Sequence, residues 1–261
     1  MLGGRRALRD FLLGTIVGVA NMVPGISGGT ILFISGRYSE VVGALSRFFS
    51  FKITKKDLLI LVNLAAGVAA SFLLLSKLMD FLFENYPIKV LSFFSGLIIG
   101  GLLFMYPKVR RVSMRSSLSM AAGALLIVFI YLYSSGSLDP SLLNLTLGGV
   151  LAGGAMILPG ISGSSILVIL GLYDDAIHAL SNFQLLKLVF LGIGAAIGVV
   201  VISILFKSFL EKYERETMSF LYGLTLSGLI FIMAGGVDVS FIIFGLGTSF
   251  LVERYLSEEE S

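Results

Sequence analysis

Long apolar runs divide the chain into segments that have the length of membrane helices. The six longest runs cover residues 58–83, 90–106, 116–134, 185–210, 217–235 and 239–255. A helix needs about 20 mainly apolar residues to cross the hydrocarbon core of a bilayer. The pattern therefore predicts six transmembrane helices in an all-α integral membrane protein.

Two further apolar regions, residues 11–48 and 142–180, are each interrupted by a Pro-Gly pair and a cluster of Ser and Gly. The apolar stretch before the first interruption, residues 11–23, would form a helix of about 20 Å, too short to cross a core of about 30 Å. We therefore expect each region to be a re-entrant hairpin. The second limb of the first hairpin is expected to be one helix over about residues 30–48.

The two interruptions are copies of each other. Residues 23–38 read VPGISGGTILFISGRY and residues 158–173 read LPGISGSSILVILGLY, with ten of sixteen positions identical at an offset of 135. Further along, SFFSGLIIGGLLF is similar to SFLYGLTLSGLIF, which follows at an offset of 127. The duplication predicts one membrane domain of two repeats, residues 1–135 and 136–261, each with one hairpin and three transmembrane helices.

The distribution of positive charge predicts the orientation. Fifteen of the 19 Lys and Arg residues lie at the N-terminus, in segments 47–56, 108–115 and 207–215, or in the C-terminal tail, whereas the opposite loops hold Lys89 and Lys187. Because cytoplasmic loops are enriched in Lys and Arg, both termini are expected in the cytoplasm. Three crossings per repeat then invert the second repeat, an arrangement typical of secondary transporters with a site near the midplane.

The composition excludes several other classes of protein. A chain with 56% hydrophobic and 13% charged residues and a mean hydropathy of +0.98 does not suit a soluble domain. The absence of cysteine excludes disulfides and Cys-ligated metals. The basic loops set orientation, so we expect the bilayer and no nucleic acid as a partner. No metal or cofactor is expected besides a coupling ion, H⁺ or Na⁺, and no oligomeric state follows from the pattern.

The interruptions hold the candidate binding residues. Pro24 and Gly25 in the first copy, and Pro159 and Gly160 in the second, are expected to break the helix. The residues that follow would cap the next helix and turn unpaired amides toward a phosphate or carboxylate group. They are Ser27, Gly28, Gly29 and Thr30 in the first copy and Ser162, Gly163, Ser164 and Ser165 in the second. The alternative is that these small residues only allow a turn and close packing.

Other polar residues near the hairpins have two interpretations each. Asn21 either reaches the ligand or bonds to backbone groups that the break frees. Arg37 is a candidate counter-ion, because an arginine within a membrane segment is commonly functional, or else it extends to the membrane surface. Glu40, Asp174 and Asp175 either hold a coupling proton or cation, or are solvated or paired with arginine.

GISGG at residues 25–29 also matches the G-x-S-x-G pattern of serine hydrolases. That nucleophile needs a preceding strand and a histidine base. The surroundings are helical, and the only histidine, His178, follows the second copy. We therefore expect a protein that is not an enzyme, with an intramembrane serine hydrolase kept as an alternative.

Two stretches, GTIVGVANMVPGISGGT and MILPGISGSSILVILGLY, resemble the PopT family of bacterial and archaeal membrane proteins, and the resemblance covers nearly the whole chain. It implies a flippase that moves undecaprenyl phosphate, a polyprenyl-phosphate carrier lipid, from the outer to the inner leaflet of the prokaryotic cytoplasmic membrane. That step recycles the carrier for envelope polymers such as peptidoglycan. The resemblance also implies that the paired PGxSG blocks hold the phosphate, and it does not extend to Arg37. The alternative is an ion-coupled transporter or channel for a small soluble anion.

Overall fold

The computed structural model describes residues 2–23, 26–110, 113–132 and 138–257, and every regular element within these ranges is a helix. In chain order the helices are α1 (Leu2–Asn21), α2 (Gly28–Ile34), α3 (Tyr38–Phe49), α4 (Lys55–Asn85), α5 (Pro87–Val109), α6 (Met114–Leu132), α7 (Leu142–Ile157), α8 (Gly163–Ile169), α9 (Tyr173–Ser181), α10 (Leu185–Lys212), α11 (Glu214–Ala234) and α12 (Val239–Ser257). The predicted all-helical class is confirmed.

Four of these helices, α4, α5, α10 and α11, are long and apolar enough to cross a membrane. They coincide with four of the six predicted spans. The other two predicted spans fall on α6 and α12, whose apolar stretches among the described residues are shorter, residues 114–130 and 239–252. Several helices of this length and composition make the chain a multi-pass membrane protein.

The limbs of the two interrupted regions differ from the sequence prediction. The first limb, α1, begins at Leu2 rather than at residue 11, because its charged first turns continue the helix. Each second limb is two helices instead of one, because the chain turns after α2 at Gly36, with a φ of +71°, and after α8 at Gly171, with a φ of +72°. The Arg37 amide donates to the Leu32 carbonyl at 3.0 Å, which is the Schellman closure that glycine permits.

Glycines bring the long helices into backbone contact, and the same contacts occur in both halves of the chain. In the first half, a Cβ at Gly14 or Gly18 of α1 would overlap α4. In the second half, a Cβ at Gly149 or Gly153 of α7 would overlap α10. The partners are Leu64 for Gly14, Val68 and Ser71 for Gly18, Leu191 for Gly149 and Ala195 for Gly153. Partner numbers rise together along each pair, so the two helices of each pair run parallel.

A second set of glycine contacts joins the halves to each other. Gly96 and Gly245 hold α5 against α12, and Gly123 and Gly223 hold α6 against α11. The glycine pairs 14/18, 96/100, 149/153 and 194/198, each spaced by four residues, all lie at close helix contacts. In the most apolar stretches of α5 and α11, 56% and 61% of residues are buried, against 22% and 17% in α4 and α10. Helices α5 and α11 therefore form the centre, and α4 and α10 form the exposed flanks.

Two glycines on α10 give a matched test of this packing. A Cβ at Gly194 would overlap the carbonyl of Thr146, whereas a Cβ at Gly192 meets nothing within 4 Å. We expect Gly194→Ala to destabilise the protein by about 1–3 kcal/mol through overpacking. Gly192→Ala is expected to be neutral or stabilising by up to about 1 kcal/mol, because alanine favours helix. Thermal unfolding in detergent measures both, and equal midpoints would contradict the packing.

Candidate functional site

The first break connects α1 to α2 and is held by side chains on both sides of it. Asn21, the last residue of α1, accepts a hydrogen bond on Oδ1 from the Gly28 amide at 2.7 Å. Ser27 caps α2, and its Oγ accepts from the Thr30 amide at 3.3 Å. Asn21 is thus used within the break, as one of its two interpretations predicted. Pro24 and Gly25 lie outside the described residues.

The second break has the same cap with a different arrangement of hydroxyl groups. Ser162 caps α8, and its Oγ accepts from the Ser165 amide at 3.2 Å. The same oxygen lies 2.6 Å from the hydroxyl of Ser165 and 3.1 Å from that of Ser164. Gly160 adopts a φ of +81°, which glycine reaches without strain. Three serine hydroxyls therefore cluster at the start of α8.

The two breaks contact each other in the interior. Ser27 Oγ donates to the Leu158 carbonyl at 2.9 Å, and the Gly160 amide donates to Thr30 Oγ1 at 2.9 Å. Gly29 lies so close to the Ile157 carbonyl that a Cβ there would overlap it. Ser27 and Thr30 are each 2% exposed, so these hydrogen bonds satisfy backbone groups that the breaks would otherwise leave unpaired. Segments 130 residues apart are joined at their breaks.

The two copies differ in accessibility. Six of the seven residues of α2 are buried, including Gly28, Gly29 and Thr30. In α8 only Gly163 is buried, while Ser164 is exposed and Ser165 is half-buried. The hydroxyls of the first copy are used in the contact between the breaks, whereas in the second copy Ser162 is buried and Ser164 and Ser165 are accessible.

Arg37 lies in an ion-pair cluster near the start of α3. Its Nη2 is 2.8 Å from Asp10 Oδ1, and its Nε is 2.9 Å from Glu40 Oε2. The side chains of Arg37 and Asp10 are 9% and 2% exposed, so this is a buried charge pair. Glu40 also pairs with Arg6 at 2.6 Å and Lys56 at 3.5 Å. The arginine-paired interpretation of Glu40 is therefore the one that the structure shows.

Sequence reasoning missed Asp10, and a signal for it was available. At the repeat offset of 135, Arg37 corresponds to Leu172 and Asp10 corresponds to Leu145. Both leucines are buried, at 0% and 1% exposure. Two opposite charges that replace two buried leucines in the same copy indicate a pair, because an isolated buried charge is costly.

The remaining candidates lie away from the contact between the breaks. Asp174 and Asp175 are in the first turn of α9, where Asp174 is exposed and Asp175 is half-buried. His178 is exposed, and its Nδ1 lies 3.3 Å from Gln184 Nε2. The hydrogen bonds of Ser162 described above go to Ser164 and Ser165, so His178 is not its partner. Within the described ranges, no group of three or more His, Cys, Asp or Glu residues is placed to hold a metal ion.

These features define a multi-pass helical membrane protein in which two serine-capped helix breaks meet in the interior. Residues 17–243 match the VCA0040-like family, described as undecaprenyl phosphate translocase-like, and the chain belongs to this family. The resemblance inferred from the PGxSG blocks is confirmed.

Two curated relatives carry the same name. The chain is 34% identical over 234 residues to a polyprenyl-phosphate transporter of Vibrio cholerae serotype O1, an alignment that covers 85% of this chain and 76% of that protein. It is 27% identical to a polyprenyl-phosphate transporter of Staphylococcus aureus, with 96% of this chain and 98% of that protein aligned. No solved structure gives a significant match. Both relatives are named as transporters rather than as enzymes.

The contact between the breaks can be tested with two buried threonines. Thr30→Val removes the acceptor of the Gly160 amide, and we expect a loss of about 1–3 kcal/mol in stability because a buried donor is left unpaired. Thr225→Val is the control, since Thr225 is 1% exposed and its hydroxyl donates only to Leu221, one turn earlier in α11. The control should cost less than about 1 kcal/mol. Thermal unfolding of both variants checks this, and equal costs would contradict the contact.

The buried ion pair can be tested with a double-mutant cycle. Asp10→Leu or Arg37→Leu alone should cost about 3–5 kcal/mol, because each leaves a buried charge without its main partner. The double variant creates the pair of leucines that the second copy already has, so it should regain much of that loss. The free energies of unfolding of all four proteins in detergent give the coupling free energy between the two residues. Additive losses would mean that Asp10 and Arg37 act independently.

Proposed function

We propose that the protein is a flippase for a polyprenyl phosphate of the undecaprenyl phosphate class. It moves this lipid from the outer to the inner leaflet of the prokaryotic cytoplasmic membrane, which returns the carrier to cytoplasmic synthesis. Membership of the family and the names of both aligned relatives support the substrate. The concentration of Lys and Arg at one end supports a cytoplasmic location for both termini.

The two interrupted regions act in this proposal as re-entrant hairpins of inverted repeats. Two observations support opposite insertion. Helix α1 runs parallel to α4, whose start lies at the charged end, where Lys56 pairs with Glu40. Helix α7 runs parallel to α10, whose last turns include Glu211, and Glu211 interacts electrostatically with Arg47 at that same end. Helices α1 and α7 thus approach the contact between the breaks from opposite ends, as alternating access requires.

The contact between the two breaks carries the proposal. It brings polar backbone groups and the buried hydroxyls of Ser27, Thr30 and Ser162 into an apolar helical interior, next to the more accessible hydroxyls of Ser164 and Ser165. The cluster of Ser162, Ser164 and Ser165, with the first amides of α8, binds the phosphate in the conformation described. When the substrate crosses, Ser27 and Thr30 give up their hydrogen bonds to Leu158 and Gly160, and their hydroxyls bind the phosphate instead.

Arg37 has a structural role in this mechanism, because Asp10 and Glu40 already balance its charge. A gradient of H⁺ or Na⁺ drives the cycle. Asp174 and Asp175 are the carboxylates of the second hairpin available to take up the coupling ion.

Reconstitution into liposomes tests the function. With fluorescent polyprenyl phosphate in both leaflets, the purified protein should make the lipid in the inner leaflet accessible to an added quencher. Ser164→Ala with Ser165→Ala should slow translocation by about tenfold or more, since charge-assisted hydrogen bonds to the phosphate are lost. Ser117→Ala, at an exposed serine of α6, is the control.

Two outcomes would contradict this proposal. Translocation at the rate of empty liposomes would exclude the lipid as substrate, and uptake of free phosphate by the same liposomes would instead favour a transporter of small anions. Normal translocation by the double serine variant would exclude the second copy as the phosphate site.

A further inference from the structure

A groove opens on the side of the bundle between α4, α5 and α12, and the functional site described above does not include it. Its volume is about 490 Å³, within the range of about 300–1,000 Å³ that is typical of ligand pockets. Its apolar walls come from three helices, and its floor is Val19 of α1. The apolar side chains of the walls include Met79, Leu82, Phe93, Phe94 and Phe244.

A single cation marks the mouth of this groove. Lys89 is exposed, and its Nζ lies 5.0 Å from the ring centroid of Tyr86 and 5.6 Å from that of Phe241. Two aromatic faces hold a lysine in place without neutralising its charge. Within the described part of the chain, Lys89 takes part in none of the salt bridges. The mouth therefore offers a positive charge beside an apolar cavity.

The residues at the mouth of the groove are not repeated at the position that the duplication relates to it. Tyr86 and Tyr213 correspond at the offset of 127, and Gly245 against the Phe93 carbonyl corresponds to Gly123 against the Phe220 carbonyl. The residues that correspond to Lys89, Phe241 and Phe244 are Glu216, Ser119 and Ala122. The cation and two aromatic rings have thus been replaced by an anion and two small residues at the other end. Such an asymmetry is expected of a site that is used from one leaflet.

The floor of the groove leads toward the contact between the breaks. Val19 lies in the last turn of α1, two residues before Asn21, whose side chain binds the Gly28 amide at the first break. A chain that occupies the groove therefore contacts the last turn of α1, which also holds the start of α2 through Asn21.

We propose that this groove is the entry site of the substrate, where the isoprenoid chain occupies the apolar cavity and the phosphate binds Lys89. The inference rests on the proposed function and on the orientation that places Lys89 at the outer leaflet. A phosphate monoester carries about 1.5 to 2 negative charges at neutral pH, more than the diester of an ordinary phospholipid. Because Lys89 forms no salt bridge with any described residue, its charge favours the monoester, and the cavity holds the part of the isoprenoid chain next to the phosphate.

Photocrosslinking in lipid nanodiscs tests the site. The probe is a short polyprenyl phosphate that carries a diazirine on its isoprenoid chain, and mass spectrometry of the digested protein locates the adducts. We expect adducts on residues 79–94 and 241–244. A tenfold excess of unlabelled undecaprenyl phosphate should remove them, whereas the same excess of phosphatidylglycerol should not.

Lys89→Gln is the main variant, and it should weaken competition by undecaprenyl phosphate by about tenfold, as the loss of one hydrogen bond to a charged group does. Lys187→Gln is the matched control, because Lys187 is the other lysine predicted on this side and it does not line the groove. Val19→Phe fills the floor and should reduce the yield of adducts while Lys89 is retained. Size-exclusion profiles of all three variants establish that they are folded.

Three results would overturn the inference. They are adducts outside the groove, competition by phosphatidylglycerol equal to that by undecaprenyl phosphate, or an unchanged affinity of Lys89→Gln for undecaprenyl phosphate. Equal competition would identify a groove for ordinary bilayer lipid with an interfacial lysine. The liposome experiment separates this failure from that of the proposed function. If the native protein translocates the lipid but the groove fails these criteria, only the entry site is wrong. If adducts appear as expected without translocation, the protein binds the lipid but does not flip it.

Discussion

The structure depends on one constraint, which is that a backbone broken inside an apolar core must find hydrogen-bond partners within the protein. Water is absent there, and each unpaired polar group is costly. The chain meets this constraint by setting one break against the other, so that Thr30 accepts from Gly160 and Leu158 accepts from Ser27. Side chains of the first break thus satisfy backbone groups of the second, and the two halves of the chain are joined at their polar centre.

The same contact links fold to function. An irregular backbone is tolerated at membrane depth only where protein or a polar cavity surrounds it, and such places are where transporters bind their substrates. The first copy is covered by α5 and α7, whereas the second copy leaves Ser164 exposed and Ser165 half-buried. Two segments with nearly the same sequence thus occupy different environments.

Sequence patterns predicted the features that residue type alone determines. Long apolar runs gave the membrane helices, and Pro, Gly and Ser at the interruptions gave the breaks and their caps at Ser27 and Ser162. The turn at Gly36 was missed, because a single glycine inside an apolar run also suits a helix interior and its φ depends on the closing bonds. The unequal exposure of Thr30 and Ser165 was also beyond the sequence, since helices distant in the chain determine what covers each copy.

Among the charged residues, too, some roles could be predicted from the sequence and others depended on the fold. Lysines and arginines in loops could be interpreted because their position relative to the apolar runs indicates the orientation in the membrane. Asp10 and Arg37 were harder, since the pairing depends on a 27-residue separation that the fold closes. Comparison of the two copies explains the pairing once the fold is known, because the second copy has leucines at both positions.

The glycine contacts between α1 and α4 have a mechanical consequence. The backbones of α1 and α4 touch at Gly14 and Gly18 and cannot slide past each other without steric overlap. We therefore expect the two helices to move as one rigid unit. In this unit, α1 ends at Asn21 beside the break, and α4 ends at Asn85, next to Tyr86 at the rim of the lateral groove. Any tilt that loosens the polar centre must therefore change the width of that rim.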